Sequence, residues 1–214
     1  MSTPSSRHFS HSDILNAESQ FRKNLINSLH GFKSACLVGT ANTKGETNLA
    51  LFTQIFHLGA TPPLVGMIVR PHEVPRHTLE NILELKYYTL NHIREEFYQQ
   101  AHHTSARWQQ SEFTGTGLTP EYSSAMKAPY VAESVIQIGL EYREHQTIAI
   151  NNTVFVIGEV VELRAPTEAV GKDGFLDLEM AGTITASGLD CYHSTQKIGR
   201  LSYAKPDHIP TVID

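Results

Sequence analysis

The sequence has little cysteine: two residues in 214, Cys36 and Cys191, far apart and in no metal-type or redox-type pairing. A disulfide framework is not expected, and a reducing compartment, the cytoplasm, is the expectation. No apolar run approaches the roughly 18–20 residues of a membrane span. The polar start Met1–His8 lacks the apolar core of a signal peptide. With 17 Lys and Arg against 22 Asp and Glu, net charge −5, and no basic run, a nucleic-acid surface is not expected. Catalytic signatures are missing as well. There is no Gly-x-Ser-x-Gly elbow, no Gly-x-Gly-x-x-Gly phosphate loop and no His-x-x-x-His with a Glu partner, so neither a catalytic residue nor a metal ligand is assigned. What remains is a chain 40% apolar and 18% charged, long enough to bury a real core as one domain over 1–214.

Residues 12–30 carry Ile14, Leu15, Phe21, Leu25, Ile26 and Leu29 near helical spacing, with Ser10 or Ser12 as cap and Gly31 as stop, which predicts one amphipathic helix. Ser34–Thr40 reads as a strand, and Asn42-Thr43-Lys44-Gly45 as a turn. A strand pair follows at 48–56 and 63–69, joined by a turn-rich link, and then a helix over 76–85 from the stripe Leu79, Ile82, Leu83. Tyr87–Ile93 returns to strand and 94–103 to helix, while 104–129 is a long Ser/Thr/Gly/Pro-rich loop with at most one helical turn. The last third is β. It holds a strand over 131–142, then a hairpin of 147–150 and 153–161 around Asn151-Asn152. Within the C-terminal extension 166–214, the tail from 174 to 206 carries one helical patch. Six or seven strands with short helices predict a mainly β fold with α additions, a closed antiparallel barrel with an N-terminal helix.

One constellation has chemistry. Pro75 suits the first turn of the helix, which leaves the amides of Arg76, His77 and Thr78 at the positive end of the dipole, where an anion is favoured. Arg76 adds a forked cation and Thr78 a hydroxyl. An ordinary capped helix with a solvated Arg explains the same residues. Thr53, read as mid-strand, offers a hydroxyl toward the same region, although Thr is common in strands anyway. The 12 histidines show no ligand spacing; His102-His103 point roughly 100° apart on a helix.

Several segments stand in register: Asn48-Leu49-Ala50-x-Phe52-Thr53, Pro62-Pro63-Leu64-Val65-Gly66, Arg76-His77-Thr78-x-x-Asn81-Ile82 and Thr89-Leu90-Asn91. Later in the chain come Ser111-Glu112-Phe113 with Gly117-Leu118-Thr119, and Ile157-Gly158-Glu159-Val160. Together they resemble the flavin-reductase-like FMN-binding split barrels. The resemblance covers about residues 30–165. It implies a split barrel that forms a homodimer with FMN near the subunit interface. The strand with Asn48, Leu49, Ala50, Phe52, Thr53 and Gln54 would lie along the isoalloxazine ring. Thr53, Arg76, His77 and Thr78 would take the phosphate and ribityl end, and Thr104 and Ser105 would lie near the flavin. The implied activity is hydride transfer from NADH or NADPH to flavin, and onward to free flavin or a small-molecule acceptor. The same fold would also suit a non-catalytic FMN binder or electron carrier, or a protein for pyridoxine phosphate or haem.

Overall fold

The computed structural model describes residues 5–71 and 77–214. Two helices lead, α1 (His11–Asn16) and α2 (Ser19–Ser28). The single helix expected over 12–30 is thus two. Ala17 turns extended (φ −61°, ψ 150°), and the Glu18 carboxylate caps α2 by accepting from the amides of Gln20 (2.9 Å) and Phe21 (2.8 Å). Ser10 caps α1 in a capping box with Asp13. Neither helix buries a residue.

There follow β1 (Lys33–Ser34), β2 (Cys36–Ala41), β3 (Thr47–Phe52), β4 (Ile55–Ala60), β5 (Pro63–Val69), α3 (His77–Leu85) and β6 (Tyr87–His92). A 3-10 turn (Glu95–Phe97) leads into α4 (Tyr98–His103) and then α5 (Glu112–Thr116), closed by Gly117 in the left-handed conformation (φ 74°). The chain continues through β7 (Pro120–Glu121), β8 (Tyr130–Val131), β9 (Gln137–Ile148), β10 (Thr153–Arg164), β11 (Thr185–Ser187) and β12 (Cys191–His193).

Three expectations are corrected here. The strand placed at 48–56 is two strands, and Thr53 and Gln54 link them rather than lying mid-strand. The strand placed at 131–142 starts at Gln137, because the chain first turns with the Ser134 amide donating to the Val131 carbonyl (3.1 Å). The helical patch of the tail does not extend. Asp177 caps a single turn through the amides of Glu179 and Met180, and Gly182 (φ 71°) ends it. The hairpin around Asn151-Asn152 forms as expected, with Asn152 at φ 56°.

Seven antiparallel strands pair in the order β3-β2-β6-β9-β10-β5-β4. The described order is open, with β3 and β4 at its two ends. Yet only Thr53 and Gln54 join those ends. A flat sheet of this width would hold its edges about 29 Å apart at about 4.8 Å per strand. Two residues with their flanking bonds reach at most about 11 Å. The sheet must therefore be rolled until its edges approach, which makes the fold mainly β and split-barrel-like. Inside the roll lie Val38, Met67, Val69, Tyr88, Leu90, Leu140 and Val156, joined by Leu79 and Ile82 of α3. Outside it Leu37, Leu49, Ala101, Phe113 and Val131 form a second cluster with α4, α5 and β8. With both faces covered, β2 is buried along its whole length, hence its continuous apolar run.

Candidate functional site

The first turn of α3 packs against β2 and β3 through a cluster of polar side chains. Thr40 and Asn48 are cross-strand partners on β2 and β3. The Asn48 side-chain amide donates to the hydroxyls of Thr78 (3.0 Å) and Thr40 (3.3 Å), and the Asn81 amide donates to Thr40 (3.1 Å). All four residues are buried. A buried polar atom without a partner costs about 1–3 kcal/mol, so these bonds fix where α3 begins relative to the strand.

Among the described residues, the outer edge of β3 has no strand neighbour beyond β2. There the Leu49 amide donates to the Glu112 carboxylate (2.9 Å), and Thr47 and Ser111 share a hydrogen bond through their hydroxyls (2.7 Å). Helix α5 therefore covers the first half of the edge. By the two-residue period of a strand, Leu51 presents its N–H and C=O on the same side, past the reach of that cover. The edge ends at the Thr53–Gln54 link, where the Gln54 carbonyl accepts from the Ile68 amide (3.0 Å). A half-open row of backbone donors and acceptors beside a helix start can meet the polar rim of a planar ligand and an anion together.

The sequence-predicted residues divide as follows. Asn48 and Thr78 are brought into contact, as a buried pair. Leu49 belongs to the outer core and Phe52 packs against the inner one, while Ala50 and Thr53 are half-buried and Gln54 is exposed. His77 opens α3 and is exposed; Arg76 and Pro75 lie outside the described residues. Thr104 is buried, and its hydroxyl donates to the Ala101 carbonyl (2.8 Å) at the end of α4; Ser105 next to it is exposed. Ala101 and Leu49 share the outer cluster, so α4 ends on the covered side of β3. Sequence reasoning missed Thr40 and the roles of Asn81 and Glu112. Asn81 and Glu112 stand in the motifs quoted above, but a contact spanning 63 residues, from Glu112 to Leu49, leaves no local signal. Among the described residues no group of three or more His, Cys, Asp and Glu is placed to hold a metal, and no helix is long and apolar enough to cross a membrane.

A rolled antiparallel sheet with a half-covered edge strand beside a helix start is the architecture of the split barrels. The flavin reductase like domain family model matches residues 29–179, and the chain belongs to that family. It is 50% identical to a solved split barrel domain protein from Shewanella frigidimarina NCIMB 400, described as a candidate flavin reductase. That match has a TM-score of 0.90 and covers 93% of this chain and 100% of the other. The flavoredoxin of Desulfovibrio vulgaris (Miyazaki F) shares the fold at 19% identity and a TM-score of 0.68, over 90% of this chain and 96% of its own. A curated protein from Aquifex aeolicus (strain VF5) is 25% identical over 131 residues, 59% of this chain and 66% of the relative. Family membership supports a flavin as cofactor and an oxidoreductase as the class of protein.

Proposed function

We propose that this protein is a homodimeric, cytoplasmic flavin reductase that binds FMN, takes hydride from NADH or NADPH and passes electrons to free flavin or a small-molecule acceptor. The observation that carries the reading is the half-covered edge of β3 ending beside the start of α3, in a chain of this family. The backbone from Asn48 to Gln54 would meet the polar rim of the ring. Thr53, Arg76, His77 and Thr78 would hold the ribityl and phosphate end, with Thr104 and Ser105 on the covered side. Thr78 fits this role. Its oxygen accepts from Asn48, which leaves its own proton to donate. Bound FMN would supply two-electron chemistry by itself, so no side chain is asked to act as acid, base or nucleophile. The chain's part is to position the ring, to hold its phosphate and to exclude water.

A second copy of the chain supports the site in this reading. Helices α1 and α2 bury nothing, and Leu15, Phe21, Leu29 and Phe32 stand exposed along and just after them. An apolar stripe of that kind calls for a cover. Closure of the barrel along the β3–β4 seam belongs to the same proposal.

The test is the visible spectrum of the purified protein with its released cofactor identified, followed by steady-state oxidation of NADH and NADPH. A yellow protein that releases FMN and turns over a nicotinamide supports the proposal. FMN without turnover under any acceptor leaves an electron carrier. A haem or pyridoxine phosphate spectrum, or a colourless protein indifferent to added FMN, overturns it.

A further inference from the structure

Trp108, the one tryptophan of the sequence, sits half-buried in the loop that joins α4 to α5. Its indole N–H donates to the His103 carbonyl at the end of α4 (3.0 Å). That oxygen also accepts from the Ala106 amide (3.1 Å), so both of its lone pairs are used. The His103 ring meets the indole edge-on, with centroids 4.7 Å apart. The indole also lies against Gly115 of α5. A Cβ built on Gly115 would stand 2.5–2.8 Å from three carbons of the six-membered ring, a distance real side chains do not reach. Gly115 lies within a right-handed helical turn, so its bareness makes room for the ring and is not needed by the backbone.

Helix α5 needs such a hold. It has five residues, too few to persist alone, and buries only Phe113. Yet this turn of chain supplies both contacts that cover β3, Glu112 on the Leu49 amide and Ser111 on Thr47. The Ser111 carbonyl accepts from the Gly115 amide (3.0 Å), so a shift at Gly115 reaches Ser111 within one turn. We propose that Trp108 is a positioning residue for the flavin seat. It ties the end of α4, beside Thr104 and Ser105, to α5, and through Glu112 and Ser111 it keeps the first half of the β3 edge covered. The ring is then met by the open half at Leu51. This role rests on the reading of β3 as the flavin strand, and it asks for no contact between Trp108 and the flavin.

Gly115→Ala separates the clamp from ordinary helix stability by sign. Alanine is the stronger helix former, so a helix held by its own propensity would be reinforced. Under the clamp the added methyl displaces the indole, and the emission of the single tryptophan shifts to the red. Amide exchange at Leu49 should then quicken at least tenfold relative to Val156 in the β5–β10 pairing, the factor for losing a hydrogen bond to a carboxylate. Trp108→Ala should give the same exchange pattern. Trp108→Phe keeps a ring against Gly115 and should restore most of the protection. FMN titrated into the full-length protein after release of bound flavin should bind at least threefold more weakly to Gly115→Ala and Trp108→Ala. Wild-type exchange at Leu49 in both variants overturns the clamp, as does equal quickening at Leu49 and Val156. Faster exchange at Leu49 with wild-type FMN affinity overturns the link from clamp to seat. A wild-type protein that binds no FMN overturns the flavin reading instead, and the exchange measurement, which needs no flavin, keeps the two failures apart.

Discussion

The Asn48 side-chain amide lies 3.0 Å from the Thr78 hydroxyl and 3.3 Å from the Thr40 hydroxyl, so one side chain on β3 ties α3 to β2. Because the start of α3 is also the proposed phosphate end, the same bonds serve stability and binding. Replacing Asn48 by Leu keeps the approximate volume but strips the buried Thr78 hydroxyl of this donor and leaves Thr40 with the Asn81 amide alone. The expected loss is about 1–3 kcal/mol in urea unfolding, the range for a buried polar group stripped of its partner. FMN affinity, read by quenching of flavin fluorescence, should fall as well. A stable variant with unchanged affinity would detach the cluster from the site.

Glu112 reaches across from α5 to accept the Leu49 amide at 2.9 Å. Hydrogen bonds to a charged group contribute about 1.5–3 kcal/mol. Glu112→Ala should therefore destabilise the fold by about that amount and speed amide exchange at Leu49 in particular. Glu112→Gln retains an acceptor oxygen and should recover much of the protection. If exchange at Leu49 stays slow in Glu112→Ala, a group other than this carboxylate covers the edge.

Arg76 was singled out by its place at a helix start and by the family resemblance, and it lies outside the described residues. If it meets the FMN phosphate, Arg76→Ala should weaken FMN by about 1.5–3 kcal/mol, the range for a hydrogen bond to a charged group. Unchanged affinity would move the phosphate elsewhere.

The parts of this fold that repeat locally were legible in the sequence. The stripe of Leu79 and Ile82 marked α3, and Asn151-Asn152 marked the β9–β10 hairpin, because both signals lie within one turn of chain. The break at Thr53–Gln54 was not legible. Nothing in Leu51-Phe52-Thr53-Gln54-Ile55 interrupts strand character; the strand ends there because the rolled sheet passes from its first edge to its last. Motif residues were visible for more than one reason. Asn91 stands in a segment that resembles the family, and its work is structural: its amide donates to the Leu37 carbonyl and the Thr89 hydroxyl while its oxygen accepts from the Val131 amide, so it braces β8 against β6.

The enclosure of His92 has a consequence for acid stability. Its imidazole is partly buried beside Thr183, and burial lowers its pKa from 6.5 to about 4. In the unfolded chain the ring takes a proton near pH 6.5, whereas in the native protein it resists until about pH 4. Between those values the unfolded state binds more protons, so stability rises with pH across the window and falls on acidification. The sign is that of a depressed pKa: the folded state is favoured above the unfolded value and loses ground as pH drops toward the folded one. From pH 7 to pH 5 the loss should be about 2 kcal/mol from this residue alone. His92→Asn removes the titration and should flatten that part of the profile, at the cost of a constant offset for the altered bond to Thr183. Urea midpoints measured at half-unit steps between pH 4.5 and 7.5 compare the two slopes. Parallel profiles for the two proteins would mean that the ring is hydrated well enough to titrate normally, and that another group sets the acid limit.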